Sequence, residues 1–571
     1  MSSNTPFGPH DGSDHAAGGN PEYLGSGPVA DGDGGSGSGK KWPVLGAAAA
    51  GVVAVVGLGG WGAYALLSGG GAQPADAIPD SAVAYVSLNL DPSASQKIEA
   101  FKILKKFPGI DKALDISSTD DLRRLVFEQI QGEDTCKSLD YDKDIEPWIG
   151  ERVALAAVPD DKPGFDAPVF ALQVTDQDAA RTGIHALAKC GGTEDGYGFA
   201  FGDDYVLITD SDKRAEALVA DAAKGSLADD ESFQEWTGKV GDPGIVTMYA
   251  GPGAPGYFAA MQDDLMGAAL GEEALSLDPA SDDTWVSYED GADPQTDRIN
   301  ERMQSLYKDF KGMAVTVRFD DGAVEAELAG QGMPAGISSA QGSSGPNITE
   351  LPSSTAAAFS IALPDGWLDT YLESMAGILG DGRSMDQMLA EAEAETGLDL
   401  PEDIETLLGE GVSLSVDSEF DLDAMLEAED PTQLPIGLRV SGDPDEILPV
   451  FEKVKAAFGP DGDMLIGAAG DGVVAFGVNP DYIDTLLEGG SLGDEEAFQR
   501  VVPEADKANG VLYVNFDANG WAEELAQSFA DEFSDQPDTS AGENVAPLDA
   551  LGISTWMEAD VQRGLCRLTT D

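Results

Sequence analysis

The chain has 571 residues, 42% of them apolar, enough for a sizeable core and for more than one domain. Its 104 acidic side chains outnumber 32 basic ones, a formal charge of −72. Phosphate recognition needs clustered Lys and Arg to displace counterions, so this balance excludes nucleic-acid function and should repel anionic lipid headgroups.

Residues 1–39 contain no Lys or Arg and almost no large apolar side chain, the composition of a disordered leader. Lys40 and Lys41 then precede Trp42, Pro43 and an uncharged run of 24 residues, 44–67. At ~1.5 Å rise per residue such a run spans the ~30 Å hydrocarbon core of a bilayer. Trp42 at one end, and Trp61 and Tyr64 near the other, suit the interfaces. Residues 42–67 are therefore expected to form a single transmembrane helix, contacting the lipid bilayer through residues 44–67. The two lysines before the run, and Asp76 and Asp80 after it, put the N-terminus in the cytoplasm and the remainder outside the cell membrane. A cleaved signal peptide is the competing reading, and it exports the same domain.

Beyond Gly71, strand-like and helix-like stretches alternate. Residues 82–88 are apolar and β-prone, and 95–107 carry Ile98, Phe101 and Leu104 at helical spacing before Pro108-Gly109. Residues 153–158 and 169–174 are expected to be strands, separated by the turn-rich 160–164. Helices are expected over 179–189 and 213–223, with a hairpin over 198–208 between them.

The order then recurs. Residues 144–155 (DIEPWIGERVAL) and 403–414 (DIETLLGEGVSL) share seven of twelve positions. Residues 225–234 (GSLADDESFQ) match 490–499 (GSLGDEEAFQ) in the same order. Weaker echoes pair 82–88 with 355–362, 167–174 with 434–440, and 312–317 with 552–557. The expected fold class is α+β: two tandem copies of a mixed antiparallel-sheet and helix unit after one transmembrane helix. The domains are then 75–330 and 353–571, joined by a Gly/Ser/Pro-rich linker over 331–352.

Structural roles account for the repeated residues. Ser226 and Asp229, like Ser491 and Asp494, are spaced to satisfy free N–H groups at a helix start ahead of Phe233 and Phe498. Gly150 and Gly409 are placed to end a short helix with a left-handed turn, with Ile149 and Leu408 packing in the core. Glu146, Glu151, Glu405 and Glu410 are better explained as capped or solvated turns than as acid–base pairs.

The stretch Ala75-Asp76-Ala77-Ile78-Pro79-Asp80-Ser81-Ala82-Val83-Ala84-Tyr85-Val86-Ser87-Leu88-Asn89-Leu90-Asp91, with Lys97 and Phe107-Pro108 following, resembles the opening of the actinobacterial family filed as domain of unknown function 3352. The resemblance is read over most of 75–571. It implies a membrane-anchored envelope protein and carries over no catalytic residue.

The chemistry-bearing residues are few. His10 and His15 lie in the leader, leaving His185 alone to serve a Ser-His-Asp or Cys-His site, with no Gly-x-Ser-x-Gly elbow beside it. Walker and dinucleotide-binding glycine motifs are missing, so no cofactor is expected. Asp461-Gly462-Asp463 lacks the further ligands of a calcium loop, and no metal ligands are assigned. Cys136, Cys190 and Cys566 show no metal or redox spacing. In an oxidising compartment Cys136 and Cys190 are the candidate disulfide, the alternative being three unpaired thiols. The favoured function is a non-enzymatic binding or scaffold module taking a protein or a small apolar ligand. The alternatives are a carboxylate-dependent envelope hydrolase and a low-affinity cation-binding surface protein.

Overall fold

Short runs of Ala, Val, Leu and Ile, bounded by Gly, Asp or Asn, fold as strands that pair with their chain neighbours. The computed structural model describes residues 72–90, 93–108, 123–124, 139–160, 168–190, 196–242, 244–258, 307–333, 345–364, 366–376, 385–418, 431–533 and 540–571. These residues all fall in one compact unit.

The strands of the first half are β1 (Ala84–Asn89), β2 (Ile149–Ala157), β3 (Val169–Val174), β4 (Gly198–Phe201), β5 (Tyr205–Thr209), β6 (Val246–Ala250), β7 (Gly312–Asp320) and β8 (Ala323–Gln331). Those of the second are β9 (Thr355–Ala362), β10 (Gly411–Asp417), β11 (Ile436–Ser441), β12 (Ile466–Ala469), β13 (Val473–Gly477), β14 (Gly510–Asn515), β15 (Leu548–Glu558) and β16 (Val561–Thr570). Together they make one antiparallel sheet of sixteen strands among the described residues, ordered β12-β13-β11-β10-β9-β14-β15-β16-β8-β7-β6-β1-β2-β3-β5-β4. The order runs the same way from both edges to the middle, where β8 pairs with β16 from Ala323↔Thr569 to Gly330↔Gln562. The fold is therefore α+β.

Alternation along each strand divides the side chains between two faces. One face carries the two largest cores. Tyr85, Ala154, Ala171, Leu207 and Tyr249 pack there in the first half, with Leu227 and Trp236. Ala358, Ala475, Val511 and Tyr513 pack there in the second, with Leu492 and Phe498. Helices Asp212–Ala222 and Glu231–Thr237 cover it in the first half, Pro480–Glu488 and Glu496–Val501 in the second. Local chemistry starts these helices: Ser211 accepts from Arg214 N–H, and Asn479 from the N–H groups of Asp481 and Tyr482. Ile348 and Leu351, which the sequence reading assigns to the linker, are fully buried in the second core.

The opposite face is covered near its two edges by helices Gln177–Cys190 and Pro444–Ala457. Ala180 and Ile184 of the first, and Ile447 and Phe451 of the second, pack on β3, β5, β11 and β13. No helix among the described residues is long and apolar enough to cross a membrane, and the run 44–67 lies outside them.

Two local expectations are corrected. Gly409 does end the helix Glu402–Leu408 at φ +56°, but Gly150 lies inside β2, where a Cβ would meet the Gln173 side chain at 2.6 Å. The Gln173 side chain lying against it, not a left-handed turn, requires that glycine. Ser226 and Asp229 hydrogen-bond each other at 3.0 Å in the short turn Leu227–Asp229, and the helix that follows is capped by Asp230, which accepts from Phe233 N–H. At the matching position in the second half, Glu495 makes no side-chain cap, and neither does Ser491 before its own short turn. Ile149 packs half-buried against the outer core, and Leu408 is only partly buried.

Candidate functional site

The sheet register sets one row of cross-strand neighbours on the face opposite the two main cores. In the second half it runs Phe476, Leu438, Leu414, Phe359, Leu512, Ile553 and Cys566. It crosses the central pairing to Ala326 and goes on through Val317, Val246, Leu88, Val153, Leu172 and Val206. Every member is apolar or a thiol. Directly opposed side chains on adjacent strands lie about 5 Å apart, so the row forms a continuous apolar track.

Its two halves differ in cover. In the first, Leu88 and Val246 are buried beneath the helix Ala94–Leu104, whose Ala100 and Ile103 join Phe319 and Val324 in one cluster. The Gln96 side chain fixes that helix by accepting from Phe319 N–H at 3.0 Å and donating to its carbonyl. In the second, Leu414 is 45% exposed, Phe359 41% and Ile553 36%. Large apolar side chains scattered singly are ordinary on a surface, but these are consecutive in one row, with half-buried Leu512 between Phe359 and Ile553. Beside them, burial pushes the free Cys566 thiol up to about 11, so it is an apolar filler at neutral pH.

A cleft of about 320 Å³ lies on the other face of the first half, among Ala72, Asp76, Tyr205, Leu207 and Val219. The Tyr205 hydroxyl and the Arg152 guanidinium both donate to the Ala72 carbonyl, at 2.8 and 2.9 Å. Burial raises the Tyr85 and Tyr205 phenols well above their ordinary range, so neither is a base at neutral pH.

Several of the residues singled out in the sequence have structural partners. Asp144 accepts from Asp140 N–H at 2.8 Å, and Asp403, at the matching place in the repeated motif, accepts from Asp399 N–H at 2.8 Å. Glu405 accepts from Leu368 N–H, while Glu146 and Glu410 are exposed and Glu151 is partly buried. His185 is exposed on its helix, its Nδ1 2.8 Å from the Tyr197 hydroxyl. Among the described residues no three His, Cys, Asp or Glu side chains are grouped as metal ligands. Cys190 is disulfide-bonded, and Cys136 lies outside the described residues. The exposed row was not foreseen. Its members read as ordinary strand residues, and only the pairing of distant strands aligns them.

Residues 48–193 match the family described as Protein of unknown function (DUF3352). The DUF3352 match takes in the opening stretch quoted above but ends within the first half, whereas the resemblance was read over most of 75–571. No curated protein and no solved structure matches the chain.

Proposed function

We propose that this is a membrane-anchored, extracytoplasmic binding module without catalytic activity, whose binding surface is the open stretch Leu414–Phe359–Leu512–Ile553. One observation carries this reading: four adjacent strands of a strongly acidic chain present a row of large apolar side chains to solvent. Completing the burial of each exposed side chain would contribute roughly 1 kcal/mol, a stabilisation that a bound partner would supply.

The anchor is the uncharged run 44–67 behind Lys40 and Lys41. The bond at Cys190 fits an oxidising compartment, and we assign its partner as Cys136 because Cys566 is a free thiol. The two halves are read as copies of one unit. The shared strand order, the paired motifs and the matching Asp144 and Asp403 contacts support that reading.

The test compares the full-length chain with a Phe359→Asp, Leu414→Asp double variant in identical zwitterionic nanodiscs, so that lipid partition cancels. Titrated with an uncharged solvatochromic dye, the wild type should show the larger emission, with both proteins melting at the same temperature. Equal emission from the two would remove this surface as the binding site.

A further inference from the structure

We infer that the open stretch receives a basic amphipathic helix from a partner protein. The inference rests on the binding-surface reading above and specifies its occupant. The structure contains its own template, because in the first half a helix already lies on the same face of the same sheet. That helix, Ala94–Leu104, buries Ala100, Ile103 and Leu104, while Lys102 stands exposed on its other side with Ile98, 53% exposed, one turn before it. Lys97, Lys105 and Lys106 extend the same basic character. Four lysines within residues 97–106 are a marked concentration in a chain with only 32 basic residues. Lys106 reaches back to the end of β16, donating to the Thr570 carbonyl at 3.0 Å and to its hydroxyl at 2.9 Å.

The helix that follows β9 in the second half, Trp367–Ala376, has no Lys or Arg, and there the row stays exposed. Size and charge both select the occupant. Four strands at about 4.8 Å spacing give a floor roughly 15–19 Å wide, which seats one helix of about 10–12 Å diameter. With 104 acidic against 32 basic side chains, the chain as a whole attracts a cationic polar face and repels both a second copy of itself and anionic headgroups. Apolar contact on one side of the helix and basic residues on the other is the helix-in-groove mode of recognition.

The probe is a fluorescein-labelled peptide with the sequence of residues 94–106, titrated by anisotropy against the full-length chain in zwitterionic nanodiscs, with empty nanodiscs subtracted. It should bind, and binding should weaken as salt rises. Affinity should fall at least tenfold for Leu414→Asp protein, and at least tenfold for peptide carrying Lys97→Glu, Lys102→Glu, Lys105→Glu and Lys106→Glu. The peptide changes do not touch the protein, so they remain decisive even if the Leu414 variant fails to fold. Peptide binding that ignores the lysine changes yet depends on Leu414 would overturn the basic helix and leave the apolar surface standing. Binding by neither peptide, with Leu414-dependent self-association in sedimentation, would replace the helix by a second copy. Peptide binding indifferent to both sets of changes would overturn the inference and the surface together.

Discussion

Arg563 on β16 donates to Glu327 on β8 at 2.9 Å, and Glu327 also accepts from Arg318 on β7 at 2.6 Å. One carboxylate thus ties the last strand of the second half to the last hairpin of the first. Glu325 does the same between Arg318 and Arg567, and all five side chains are largely buried. Removing Glu327 would leave Arg318 to Glu325 and the Val240 carbonyl, and Arg563 to the exposed Glu558 and the Lys239 carbonyl, in a poorly solvated seam. Glu327→Ala should therefore cost about 2 kcal/mol in urea unfolding, less than the ~3–5 kcal/mol of a buried ion left with no partner. A change under about 0.5 kcal/mol would mean the seam holds through its backbone ladder alone.

Asp403 and Lys453 form a second ion pair, at 2.8 Å, with an acid-side signature. Burial pushes the Asp403 carboxyl up, but the Lys453 ammonium and the Asp399 N–H outweigh it and hold the group below the usual carboxylate range. A depressed native pKa means stability that is complete above the unfolded value of about 3.9 and lost as pH falls through the lower native one. Wild type should accordingly lose its advantage over Asp403→Asn below about pH 4. Melting curves at stepped pH would show it, and a constant difference down to pH 2 would contradict the shift.

Gly183 faces the fully buried Trp148, and a Cβ there would lie 2.2 Å from the indole Nε1. That nitrogen donates to the Asp144 carbonyl at 2.6 Å, so the ring cannot retreat without losing a buried hydrogen bond. Gly183→Ala should destabilise the first half by about 1–3 kcal/mol. Intrinsic fluorescence should shift to the red at lower denaturant than in wild type, and an unchanged transition would show the ring free to move.

The cysteines admit a chemical count. With its pKa near 11, Cys566 should react with Ellman's reagent at pH 8 roughly a hundredfold more slowly than a free thiol. Unfolded without reductant, the chain should release one equivalent of thiolate colour, and three if Cys136 and Cys190 are unpaired.

Much of the local structure was legible. The strands expected over 82–88, 153–158 and 169–174 and the helices over 95–107, 179–189 and 213–223 occur within a few residues of those bounds. Apolar periodicity decides such elements locally. Gly150 misled because a glycine after a turn looks the same whether it needs a positive φ or the close approach of Gln173. Ser226 misled because its hydroxyl bonds the Asp229 carboxylate in place of a helix N–H. The exposed row was illegible for a different reason. In Thr355–Ala362 the apolar residues run almost without interruption, so nothing local says that Phe359 faces outward while Ala358 faces the core. That division emerges only when β9 pairs with β10 and β14, whose sequences lie about 50 and 150 residues further on.

Hydroxyl-radical footprinting of the full-length chain, read by mass spectrometry, tests the central claim most directly. Phe359, Leu414 and Ile553 should oxidise rapidly, while Leu88 and Val246, their row-mates beneath the helix Ala94–Leu104, should stay protected. If Phe359 and Leu414 prove as protected as Leu88, the face is already covered and no binding surface exists there.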